Sequence, residues 1–236
     1  MIAIHVGFAK TATSTLQRGV FSQHEGIDFL GLPARDPRLA AAIHAIAKAD
    51  SVCFDTTQIR GVFRDHLNAA RGRAINLISY ENFTLYESRD KGMIARRLKD
   101  LFGDSKILFT LRRQEELVKA WYLQKMPKYI SGSNFIEFDD WIDLKMQEPH
   151  KSIMDDLNFD KIIEYYEEVF RRERVEIFLF EHLRQVRPIL QRKWRATSKS
   201  TRLVSQAFWP RRTTIRRSRS ASLILAGSPR PTCPVS

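Results

Sequence analysis

Cysteine is almost missing: Cys53 and Cys233 are the two thiols among 236 residues. So wide a separation makes neither a disulfide framework nor a metal-ligand spacing, and it points to a reducing compartment. No apolar run approaches the roughly 18–20 residues that would cross a bilayer. The opening Met-Ile-Ala-Ile-His-Val-Gly has neither the basic nor the apolar region of a signal peptide. A soluble, cytoplasmic protein without a membrane span is expected. Carboxylates are missing from residues 184–236, which hold 13 of the 39 Lys and Arg and none of the 27 Asp and Glu. The net charge of +12 therefore divides into −1 up to residue 183 and +13 beyond it.

What is present is ordinary for a globular chain, with 43% hydrophobic and 28% charged residues. Residues 2–6, 27–30, 74–79, 106–110 and 175–180 read as strands. Helices are predicted from Thr13 or Ser14 through Val20, and over 37–49, 57–71, 90–102, 114–126, 134–146 and 158–172. Strands alternating with helices predict an α/β fold of three layers, a parallel sheet with helices on both faces. One domain is expected over 1–190. The Arg/Ser/Pro-rich tail, 191–236, buries too little apolar surface to offset its ordering entropy and is expected to be disordered.

Three stretches at strand ends carry chemistry, and in open parallel sheets ligands gather there. The first is Gly7-Phe8-Ala9-Lys10-Thr11-Ala12-Thr13-Ser14-Thr15, between a strand and a helix. It reads either as a polar connecting loop or as an anion cradle of backbone N–H groups, a lysine and hydroxyls. A Walker A loop needs glycine immediately before the lysine; here that residue is Ala9. The second is Ile107–Arg112, a strand ending in a cation, for which a solvated helix-entry arginine is the alternative. The third is Ser79-Tyr80-Glu81-Asn82, where Glu81 is either a proton acceptor or a turn cap. His5, inside the first strand, reads as structural, and no cluster of His, Cys, Asp and Glu suggests a metal.

Taken together and in this order, these stretches resemble sulfotransferases, particularly small bacterial ones that use 3′-phosphoadenosine 5′-phosphosulfate (PAPS). His5–Gln17 is similar to the family's 5′-phosphosulfate loop. The resemblance implies that Lys10 bridges the 5′-phosphate and the sulfuryl group, with Thr11, Ala12, Thr13, Ser14 and Thr15 around the phosphate. Ala12 stands where glycine is usual. Arg112 corresponds to the 3′-phosphate arginine. The serine expected eight residues later is replaced by Ala120, removing a contact worth roughly 1–2 kcal/mol. Glu81 corresponds to the carboxylate that takes a proton from the acceptor. Trp121–Gln124, Phe135–Phe138 and Asn158–Asp160 resemble helices lining the acceptor side, although their spacing also fits core aromatics, and Glu181–Leu183 closes the late family strand.

The implied reaction is sulfuryl transfer from PAPS to a hydroxyl or amine of a small molecule or saccharide, without a metal. The resemblance ends near residue 183, and the abrupt change there suggests a frame change or truncation junction. An inactive truncated relative is therefore one alternative. Another is a polyanion binder acting through the basic tail, which lacks the features of specific nucleic-acid recognition. A third is a P-loop-type kinase.

Overall fold

The structure, a computed structural model, describes residues 1–34, 36–69, 75–88, 90–130 and 135–182. The expected tail, 191–236, and Leu183 of the late strand motif lie outside the described residues.

Five parallel strands form one sheet in the order β2-β3-β1-β4-β5. They are β1 (Ile2–His5), β2 (Ile27–Phe29), β3 (Ile75–Ser79), β4 (Lys106–Leu111) and β5 (Val175–Leu179). The central strands carry apolar runs (Ile2–Ile4, Leu77–Ile78, Ile107–Phe109), as strands covered on both faces require. Ile4 pairs with Ile78 of β3 and Ile107 of β4, while Ala3 pairs with Leu77. All five side chains are buried, so successive residues on opposite faces are both shielded from water. The α/β architecture read from the sequence is the one observed. Its strand order places the crossover from one half of the sheet to the other at β1, beside β3 and β4.

The largest core lies where α2 (Pro37–Lys48), α3 (Thr56–Ala69), α4 (Lys91–Phe102) and α8 (Phe159–Phe170) pack together and on the sheet. In α2 the side chains of Leu39, Ala42, Ile43, Ile46 and Ala47 make a buried stripe at helical spacing. Asp36 caps this helix by accepting from the Arg38 N–H at 2.8 Å, and Pro37 occupies its first turn. Asp90 caps α4 in the same way through the Met93 N–H. At the other end of α2, the buried Arg97 of α4 donates from Nη1 to the carbonyls of Ile46 (3.1 Å) and Ala49 (2.9 Å). These carbonyls have no partner further along the helix.

A second core joins Leu117, Val118, Trp121 and Tyr122 of α5 (Gln114–Ile130) to Trp141 of α6 (Phe138–Gln147) and Ile153 and Met154 of α7 (Ile153–Asp156). Trp121 and Tyr122 are core residues, as their spacing allowed, and Phe138 packs half-buried against them, whereas Phe135 is exposed. The short α7, capped by the Ser152 hydroxyl, has no counterpart among the predicted helices. One turn is too short to leave a periodic signature.

The helix after the first loop differs from expectation at both ends. Neither Thr13 nor Ser14 caps it: α1 (Thr13–Leu16) begins after a left-handed Ala12, with no side-chain cap. It then widens into a π-helical turn over Gln17–Phe21. This turn lays Phe21 edge-on to the His5 ring, with centroids 5.4 Å apart.

Candidate functional site

The carboxyl ends of β1, β3 and β4 lie side by side in the middle of the sheet and bring the three chemistry-bearing stretches together. The loop from β1 passes over a buried polar network. His5 Nδ1 is 2.8 Å from Ser79 Oγ of β3, and Nε2 is 2.9 Å from Thr110 Oγ1 of β4. The Gln17 amide donates to Ser79 Oγ at 3.0 Å. Burial brings the His5 pKa down to about 4, so the ring is neutral. With Gln17 donating to Ser79, the serine hydroxyl donates to Nδ1 and Nε2–H donates to Thr110, so both ring nitrogens are paired. The three strands are thus tied at the edge that carries the loop.

Inside the loop, Thr11 and Thr13 turn inward. The Thr11 hydroxyl donates to the Phe8 carbonyl at 2.6 Å and the Thr13 hydroxyl to the same oxygen at 3.3 Å. Both residues are buried, whereas Ser14 and Thr15 are exposed at the start of α1. Buried Thr84 reaches across from the turn after β3 and donates to the carbonyls of Val6 (3.0 Å) and Gly7 (3.1 Å). It thereby fixes the loop against the 3-10 turn Glu81–Phe83, which begins with Glu81. Lys10 and Ala12 have φ of 63° and 65°, in the left-handed region that side chains with a Cβ enter at a cost. Such strain is characteristic of segments held for a function.

Above the loop the charges converge. Lys10 Nζ lies 5.8 Å from the centre of the Trp121 ring, and Lys125 Nζ lies 5.3 Å from the same ring. Burial pulls the Lys10 ammonium below its ordinary pKa; Glu81 opposes that fall, and Lys125 and Arg112 add to it. Burial pushes the Glu81 carboxyl above its usual range, with Lys10 opposing. Arg112, at the end of β4, donates from Nη1 to the Lys10 carbonyl at 3.2 Å and from Nη2 to Glu116 Oε2 at 3.4 Å. Its guanidinium carbon stands 4.9 Å over the Phe180 ring. Ala120 is half-buried on α5, one helical turn beyond Glu116.

Lys10, Glu81 and Arg112, far apart in sequence, are therefore electrostatic neighbours. Lys125, Glu116 and Thr84 belong to the same site and are absent from the sequence reading. The lysine had a signal: Trp121 and Lys125 are four residues apart on a helix that leaves the β4 cation, so they share a face. Among the described residues, no group of three or more His, Cys, Asp and Glu could hold a metal ion. Nor is any helix there long and apolar enough to cross a membrane.

A comparable arrangement of elements exists in a solved protein. The sulfotransferase of Alicyclobacillus acidocaldarius superposes with a TM-score of 0.53, at 18% identity over 82% of this chain and 78% of that chain. At that identity the likeness is one of fold. A thymidylate kinase from Candida albicans matches at a TM-score of 0.35 and 10% identity, covering 83% of this chain and 93% of that one, too distant to bear on function. No family model and no curated protein sequence matches the chain.

Proposed function

We propose that the chain is a PAPS-dependent sulfotransferase acting on a hydroxyl or amine, with a saccharide among the acceptors it can take, in the cytoplasm. The observation that carries this reading is the convergence of Lys10, Lys125 and Arg112 with one half-buried carboxylate, Glu81, over a strained loop at the sheet's carboxyl edge.

The donor set suits a nucleotide with two separate anionic groups. Lys10 and the exposed hydroxyls of Ser14 and Thr15 would face the 5′-phosphosulfate, Thr11 and Thr13 would keep the loop in shape through Phe8, and Arg112 would meet the 3′-phosphate. Guanidinium and ammonium groups hold such oxyanions through charge-assisted hydrogen bonds. In the reaction a lone pair of the acceptor oxygen or nitrogen forms a bond to sulfur while the bond from sulfur to the 5′-phosphate oxygen breaks. The acceptor's proton passes to Glu81, whose raised pKa makes it a stronger base than an ordinary carboxylate. Lys10 balances the charge that grows on the departing oxygen. Positioned charge of this kind commonly accounts for about 10²–10³ in rate per donor.

Calorimetric titration with 3′-phosphoadenosine 5′-phosphate, against ATP with magnesium, tests the reading. Binding of the first, lost in Lys10→Ala, is the expected result. Binding of ATP alone would transfer the site to the kinase class.

A further inference from the structure

We infer that Glu116 sets how strongly this site prefers a nucleotide with a 3′-phosphate over one without it, and that the preference in this protein is small. The inference rests on the nucleotide site proposed above and concerns the class of co-substrate it accepts.

Arg112 is the cation on which a 3′-phosphate would depend, and both ends of its guanidinium are engaged. Nη1 is held by the Lys10 carbonyl and Nη2 by Glu116 Oε2. The arginine side chain is 17% exposed and packs over Phe180, whereas that of Glu116 is 52% exposed. The guanidinium is thus the fixed member of the pair, and the carboxylate already stands at one of the donors open to an incoming oxyanion. A phosphate that takes the Nη2 donor now facing Glu116 displaces that carboxylate towards water or shares the cation with a like charge.

Displacement is easy, because an exposed pair four residues apart on a helix is weak. The 3′-phosphate is therefore admitted, but with its attraction to Arg112 reduced. Ala120 acts in the same direction. It follows Glu116 by one turn of α5 and offers a methyl group where a hydroxyl would supply a neutral donor. The two residues weaken the hold on one end of the nucleotide and leave the β1 loop untouched. A site so built distinguishes nucleotides by their 3′ substituent less sharply than one with an unshared arginine and a hydroxyl at position 120 would.

The test compares titrations of the full chain with 3′-phosphoadenosine 5′-phosphate and with adenosine 5′-monophosphate. The unsubstituted protein should favour the first by less than about tenfold. Glu116→Gln and Glu116→Ala should each tighten the 3′-phosphorylated ligand roughly two- to fivefold and leave the affinity for the other unchanged. Ala120→Ser should move the same ligand in the same direction. A large preference in the unsubstituted protein, or a ratio unchanged by both Glu116 variants, overturns the inference while the nucleotide site stands. Binding of neither ligand removes the site, and the inference with it.

Discussion

Gly7 sits directly over the ring of His5: a Cβ built on the glycine would lie 2.6 Å from Nε2. That nitrogen is held in place by Thr110, so the ring has no room to retreat. The glycine that opens the loop is therefore required by the strand beneath it and not by a left-handed backbone. Gly7→Ala should cost about 1–3 kcal/mol by overpacking. Urea denaturation measures this directly, and an unchanged midpoint would mean the ring can move after all.

Ala12 offers the opposite case. At φ 65° it carries a Cβ where glycine would be unstrained. Ala12→Gly should raise stability by about 0.5–1 kcal/mol, the relief being partly offset by the greater freedom of glycine in the unfolded chain. A lower thermal midpoint would show that the left-handed turn is not a source of strain.

Acid should weaken the fold through His5. Its folded pKa, about 4, lies below the ordinary 6.5. Between these values the unfolded chain binds the proton and the folded chain does not, so stability falls as pH falls. Across that whole interval the loss amounts to roughly 3 kcal/mol. Imidazole NMR shifts at pH 5.5 should report a neutral ring; a protonated one would contradict the network with Ser79 and Thr110.

Glu81→Gln should lower kcat by about 10²–10⁴. Affinity for 3′-phosphoadenosine 5′-phosphate should hold or tighten, since a negative charge leaves the surroundings of Lys10. In the unsubstituted protein, the proposed turnover should decline as pH falls through a value above 4.5, because burial raises the Glu81 pKa. Equal turnover by the variant would remove Glu81 from the chemistry.

The strands were legible in the sequence because both faces of the central ones are covered, which writes them as unbroken apolar runs such as Ile107–Phe109. The positions of Lys10, Glu81 and Arg112 followed from strand ends. Their surroundings did not. The hydroxyls of Thr11 and Thr13 look alike to those of Ser14 and Thr15 in sequence, and only the loop's backbone turns the first pair inward. Thr84 acts on Val6 across 78 residues, a contact with no local trace. Glu116 did have a visible spacing from Arg112, but four residues also separates many pairs that never meet. The left-handed turns at Lys10 and Ala12 involve residue types that give no sign of them.

Trp121 is 8% exposed, with an ammonium group near its indole from Lys10 and another from Lys125. Indole emission responds to the electric field of nearby charge. An anion that draws either lysine aside would alter that field, so Trp121 emission should report occupancy of the proposed site. Occupation of the proposed site should then change the intrinsic fluorescence without a label, and Trp121→Phe should remove that change although three other tryptophans remain.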